Sequence, residues 1–319
     1  MPGFERLLHN AVVHVQRWYF DQMEGRRTIA LARPVVRMVR TPNTSDWYVS
    51  NASGADQRAW YWNNAVADGL KATGGSFYSR RLISVFYLDA DRKPDHYIGG
   101  ASGVAVMPRD QVQGLLSNSY GAMAGRPICA YVGALAHEIG HALGLPHPPK
   151  CEVPGADQNA GECRSLMNFG YLAYPKTNLL PDNRDHLGHS PFLGKASISP
   201  PTFDCAALST SPPHSPAAVS VSPPPRNRPP SGQAEPTLDV GQDRPGFDYK
   251  NIEIPSNSFG LRPAASSCQQ QCRADPRCRT WTFVRPGIQG PHASCWFKSQ
   301  VPPARRSDCC LSGTVPPWQ

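Results

Sequence analysis

The chain has 319 residues, 40% of them hydrophobic and 18% charged, with a formal net charge of +8. That length accommodates two domains, and the apolar share suits packed cores. The positive charge is spread out, with no Lys/Arg run long enough to read as a nucleic-acid arm, and no apolar stretch reaches the roughly 18 residues that a membrane span needs.

In chain order, the first predicted element is a helix over residues 4–20, where Phe4, Leu7, Leu8, Ala11, Val12, Val15, Trp18 and Tyr19 recur at helical spacing and Gly25 follows as a stop. The β-branched run PVVRMVR (34–40) reads as a strand. Residues 53–72 read as a second helix, with Ser53 and Asp56 forming a capping-box-like start and Trp60, Asn63, Asn64, Ala67 and Leu70 on one side. RLISVFYLDA (81–90) reads as a buried strand, and YIGGASGVAVMP (97–108) as one or two short strands with glycine kinks. ICAYVGALAHEIGHALG (128–144) is a helix ending at Gly144, where a glycine can take the left-handed conformation. The order predicts an α+β domain over residues 1–198.

Composition then changes. Eleven prolines fall between Ser199 and Pro236, including PPP at 223–225, amid few large apolar residues. Such a segment cannot bury enough surface to offset its ordering entropy, so 199–240 reads as an extended linker. Residues 241–319 carry ten Lys/Arg against five acids, about +5. That reads as a solvated basic surface, with attraction to acidic glycans or cell surfaces as the second reading.

There are ten cysteines: Cys129, Cys151, Cys163 and Cys205 in the first two thirds, and Cys268, Cys272, Cys278, Cys295, Cys309 and Cys310 crowded near the end. The crowded six suit a small module stapled by disulfides, which implies an oxidising compartment. A zinc cluster is disfavoured, because no pair has C-x₂-C spacing. The opening MPGFERLLHNAVVHVQRWYF lacks the basic, apolar and small-residue parts of a signal peptide. Secretion is therefore expected from the cysteines alone.

The chemistry concentrates in HEIGHALGLPH (137–147). Helical positions i and i+4 share a face, so His137 and His141 can point at one ion. Gly144 breaks the helix and lets the chain turn back to deliver His147 as a third ligand. Three neutral imidazoles with an open fourth position make the catalytic form of a zinc site. Glu138, one residue after His137, falls on the side where the attacking water would sit and can act as general base for peptide-bond hydrolysis. A helix with two ordinary histidines is the bland alternative; the independently placed glycine and third histidine disfavour it.

HEIGHALGLPHP, with Met167 downstream in SLMNFG, resembles the metzincin clan of zinc endopeptidases. Pro148 is similar to serralysins, although no calcium-binding nonapeptide repeats follow. The resemblance covers roughly residues 30–195 and is tight only at the helix and the turn. It implies that His137, His141 and His147 bind one Zn²⁺, that Glu138 is the general base, and that Met167 lies beneath the metal in a Met-turn. Astacins and serralysins carry a tyrosine two residues after that methionine; here the position is Phe169, leaving Tyr171 as a candidate for oxyanion or substrate contact. By analogy, residues 171–175 line a substrate pocket, and a strand within 97–106 pairs with an extended substrate. Cys151 and Cys163 bracket a polar loop and suit a disulfide, leaving Cys129 and Cys205 to pair; Cys129 as a latency thiol on zinc is a weaker option. Glu152, Asp157 and Glu162 in that loop could hold Ca²⁺, but a solvated loop is favoured. His186 and His189 read as surface or packing groups.

In the last segment Cys268 and Cys272 sit on one face of a short helix, while TWTFV and SCWFK alternate like paired strands. This order resembles the PAN/apple domain, expected over residues 241–319. The resemblance implies Cys268–Cys295 and Cys272–Cys278 disulfides, with Cys309 and Cys310 a vicinal pair or joined elsewhere, and a protein or glycan ligand. The combined expectation is a secreted zinc endopeptidase acting on protein or peptide substrates, tethered to a binding module. The competing expectation is a non-catalytic secreted binding protein with a vestigial zinc site.

Overall fold

The computed structural model describes residues 4–54, 56–75, 82–101, 103–117, 123–153, 155–196, 204–208, 210, 213, 215–220, 239–254, 261–284, 288–289 and 293–315. They fall into two compact units that divide between Pro224 and Pro225. Among the described residues no helix is long and apolar enough to cross a membrane.

The first unit opens with helix α1 (Phe4–Gln22), whose Leu7, Leu8, Ala11, Val15, Trp18 and Tyr19 are buried at the spacing the sequence predicts. They pack on α5 (Ile128–Ala142), a helix apolar nearly all round and accordingly interior. Tyr19 donates its hydroxyl hydrogen bond to the Ala136 carbonyl. A three-stranded sheet lies on the other side of α5: β2 (Ser84–Tyr87), β3 (Gly99–Ala101) and β4 (Val104–Met107), in the order β2-β4-β3. β2 and β4 run parallel, β4 and β3 antiparallel. Paired residues share a face, so Val85, Tyr87, Ala105, Met107 and Gly100 form one face, while Phe86, Val104, Val106 and Gly99 form the other. Val85, Tyr87 and Met107 join the core around α5. Phe86, Val104 and Val106 join a second core under α3 (Trp60–Thr73), where Gly69 makes room for the Phe86 ring.

Three sequence expectations change here. The run 34–40 is coil, with Met38 61% and Val39 37% exposed. β-branched residues favour a strand only when a ladder is available, and the local ladder is taken by β1 (Arg27–Ile29) pairing with β5 (Leu193–Ala196). The Ser53–Asp56 capping box does not form: the Ser53 carbonyl accepts from Asn63, and the Asp56 side chain caps a 3₁₀ turn at Gln57–Ala59 instead. Part of the linker expected over 199–240 belongs to the first unit. Cys205 and Leu208 are buried in the main core, and β6 (Val219–Ser220) extends the β1–β5 sheet. Proline-rich composition predicts too little burial to order a chain, but the Cys129–Cys205 disulfide and the bond from Asn10 to the Leu208 carbonyl tie this stretch down from far away in sequence.

Cys129 lies in the first turn of α5, so that disulfide also pins the start of the histidine-bearing helix and removes any thiol for metal inhibition. The bridge spans 76 residues, a loop for which the chain-entropy model gives about 4.5 kcal/mol. The double variant Cys129→Ser/Cys205→Ser is expected to lose a large part of that stability in chemical denaturation of the first unit.

The second unit is an antiparallel sheet of order β7-β11-β9-β10-β8, built from β7 (Asp239–Asp243), β8 (Asp248–Ile254), β9 (Thr280–Val284), β10 (Ala293–Lys298) and β11 (Arg305–Thr314). Trp281, Phe283, Cys295, Phe297 and Leu311 share one face by register and form its core with Cys268 and Cys272 of α7 (Leu261–Ala274). The disulfides are Cys268–Cys295 and Cys272–Cys278, and Cys309 pairs with its neighbour Cys310 within β11.

Candidate metal centre

Three local features aim the histidines. α5 places His137 and His141 one turn apart with ring centroids 4.5 Å apart. The helix then stops: Gly144 takes a φ of +94°, a left-handed-side conformation that suits glycine, and the chain reverses into Leu145–Pro148. That reversal brings His147 back. The Nε2 atoms of His137 and His141 are 3.0 Å apart, those of His141 and His147 3.0 Å, and those of His147 and His137 3.4 Å. A tetrahedral ion with Zn–N bonds of about 2.0–2.1 Å would space its nitrogens by about 3.3 Å.

The outer nitrogens decide how this triangle must be read. His137 Nδ1 donates to the Leu166 carbonyl at 2.6 Å, His141 Nδ1 to the Leu145 carbonyl at 2.8 Å, and His147 Nδ1 to Glu152 Oε1 at 3.1 Å. Each of these partners accepts, so each Nδ1 carries a proton, and in a neutral ring that leaves Nε2 as a bare lone pair. Three lone pairs facing one another at this spacing repel unless a cation sits among them. Burial pushes both His137 and His141 down to about 4, with neighbouring imidazoles adding to the effect, so both rings are neutral near pH 7 and fit to ligate. The donor set therefore fits Zn²⁺.

Glu138 lies beside the triangle. Its Oε2 accepts from the Gly100 N–H at 2.6 Å, which fastens the carboxylate to strand β3. Burial raises its pKa, and the histidines and that N–H act in the opposite direction. The approach needs two glycines. A Cβ on Gly99 would lie 2.5 Å from Glu138 Oε2, and one on Gly100 would lie 2.1 Å from the Glu138 carbonyl oxygen. The second clash is with helix backbone and cannot be relieved by a side-chain rotation. Gly100→Ala is therefore expected to push β3 off α5, lowering stability by about 1–3 kcal/mol in thermal melts. It should also impair Glu138 while leaving the three histidines in place.

Met167 is fully buried against α5, its Sδ 2.4 Å from where a Cβ on Gly140 would be, so Gly140 makes the space it fills. The residue before it, Leu166, supplies the carbonyl that orients His137, so one turn serves both purposes. Tyr171, in the 3₁₀ turn Phe169–Ala173, packs its ring 5.2 Å from that of His137. Burial and then the charge of Glu138 raise its pKa, so it is a neutral hydroxyl at the site's rim. Phe169 is 47% exposed.

The loop acids do not gather. Glu152 goes to His147, Glu162 pairs with Lys150, and Asp157 caps the Asn159 N–H. The three carboxylates weighed as calcium donors thus form no cluster among the described residues, because each has a nearer local partner. Cys151–Cys163 closes this loop. His186 donates to the Leu143 carbonyl over Gly144, and His189 to the Asp185 carbonyl; neither joins the triangle. Sequence reasoning missed the ring-orienting acceptors, Leu145, Leu166 and Glu152, and the Gly100 donor. Glu152 was legible as a carboxylate five residues after a ligand; the backbone partners carry no sequence signal at all.

The PAN domain family matches residues 242–298, which run from β7 through β10 of the second unit. Among solved structures, the chain is similar to wild-type OgpA from Akkermansia muciniphila, with 18% identity over 99% of this chain and 79% of that one and a TM-score of 0.37. It is similar also to catalytically inactive OgpA in complex with an O-glycopeptide substrate, glycodrosocin, with 15% identity over 99% of this chain and 78% of that one and a TM-score of 0.36. Likeness at that level adds nothing to the reading of the site, which rests on its own geometry. No curated protein matches the chain by sequence.

Proposed function

We propose that the chain is a secreted, zinc-dependent endopeptidase of metzincin type whose PAN-domain unit binds a protein or glycan and holds the enzyme near its substrate. The observation that carries this reading is the triangle of converging Nε2 atoms beside a strand-anchored carboxylate. Zinc, when bound by His137, His141 and His147, supplies the Lewis acidity that activates water and polarises a carbonyl.

The chain's own residues do the rest. Glu138 accepts the proton of the attacking water and returns it to the leaving amine. β3 lies at one edge of its sheet, so an extended peptide can add beside it. Trp62 donates to the Gly99 carbonyl and steadies that edge. The Tyr171 hydroxyl is suited to donate to the developing oxyanion or to the substrate. Five disulfides accord with an extracellular setting.

A peptide-library and casein digest tests this, using wild type, wild type with a zinc chelator, and chelated protein reloaded with Zn²⁺. Cleavage that disappears with the chelator and returns with zinc supports the reading. Stoichiometric zinc binding without cleavage of any peptide would instead favour a non-catalytic binding protein.

A further inference from the structure

The three ligand rings have unlike partners. His137 and His141 bond to backbone carbonyls, which the fold fixes, but His147 bonds to a side chain, Glu152 Oε1. That side chain is 37% exposed and sits on a surface loop, so by itself it would be free to turn into water. The loop opposes this. Cys151, the residue before it, is buried and bridged to Cys163. Gln158 donates from Nε2 to the Cys151 carbonyl at 2.8 Å, and its Oε1 accepts from Asn168 Nδ2 at 2.8 Å. Asn168 is buried, donates also to the Cys163 carbonyl at 3.1 Å, and lies two residues after Leu166, whose carbonyl holds His137. A continuous run of contacts therefore joins the turn behind the first ligand to the carboxylate behind the third.

We propose that this loop is a clasp that sets how tightly the centre keeps zinc, with Glu152 and Gln158 as positioning residues that act through His147. This rests on the zinc centre of the reading above, though not on its proteolysis. An acceptor on Nδ1 fixes the ring, and a carboxylate there also makes Nε2 a stronger donor to a metal. Gln158 touches no ligand; it holds the backbone that carries Glu152. The Lys150–Glu162 pair spans the same loop but leads to no ligand, and both side chains reach solvent, so it contributes little.

The zinc affinity of the full chain, measured with Zn²⁺ by chelator competition, tests this. Glu152→Ala is expected to weaken zinc binding roughly 10–100-fold. Glu152→Gln keeps an amide oxygen for the Nδ1 proton and recovers part of the loss. Gln158→Ala weakens binding less, and the double variant binds no worse than Glu152→Ala, because both act along one route. Glu162→Gln, in the same loop, keeps wild-type affinity, and the metal-free Tm of Glu152→Ala matches that of wild type. Unchanged affinity in Glu152→Ala or Gln158→Ala would overturn the proposal. So would losses that add in the double variant, an equal loss in Glu162→Gln, or a fall in metal-free Tm that tracks the loss of zinc. Wild type that takes up no zinc removes the metal centre and the clasp together. Wild type that binds zinc and cleaves nothing removes the peptidase reading alone, and the affinities above still judge the clasp.

Discussion

Glu138→Gln is expected to lower kcat/KM by roughly 10²–10⁴-fold, the usual worth of a general base, with zinc still bound. Glutamine keeps the side-chain length and an amide oxygen that can accept from the Gly100 N–H, so the contact between α5 and β3 survives. What it loses is the ability to take a proton. Glu138→Ala is the more disruptive variant. It leaves the Gly100 N–H without its acceptor, at a cost of about 1–3 kcal/mol. The two variants should therefore be equally inactive but differ in thermal stability. Equal activity of Glu138→Gln and wild type would remove the general-base assignment, whatever metal the histidines hold.

Metal removal is the second large effect. An ion that binds only the folded state stabilises it by mass action, by about 4 kcal/mol at a thousand times Kd. For a unit of this size that corresponds to roughly 10 °C in Tm. The metal-free centre is also left with three Nε2 atoms crowded at 3.0–3.4 Å, while the Nδ1 bonds to Leu166, Leu145 and Glu152 hold the rings in place. Calorimetry with and without chelator should show the first unit's transition fall while that of the second unit stays put. The second unit's core depends on Cys268–Cys295 and Cys272–Cys278 and contains no metal-ligand cluster among the described residues. A transition of the first unit that ignores zinc would argue against a metal centre there.

The sequence by itself determined the helical elements that carry the chemistry and the residues in them. Periodicity alone located α1 and α5, and the i, i+4 and glycine spacing of 137–147 marked out the histidines that the fold brings together. These features depend on neighbours within a turn or two, so local rules reach them. The same holds for Cys268 and Cys272 on one face of α7.

Only the tertiary structure decided the rest, because it depends on groups far apart in the chain or on backbone atoms that every residue shares. Elimination leaves Cys129 and Cys205 to pair, but nothing near residue 205 signals that the bridge draws Cys205 and Leu208 into the core of the first unit. Nothing in PVVRMVR says that no strand among the described residues will pair with it. The carbonyls of Leu145 and Leu166 orient the rings of the triangle, and the Gly100 N–H aims the base; all three are backbone groups, and the last also needs a glycine to let the helix approach. A helix and a strand must come within hydrogen-bonding distance before a glutamate becomes an oriented base, and that closeness is a property of packing.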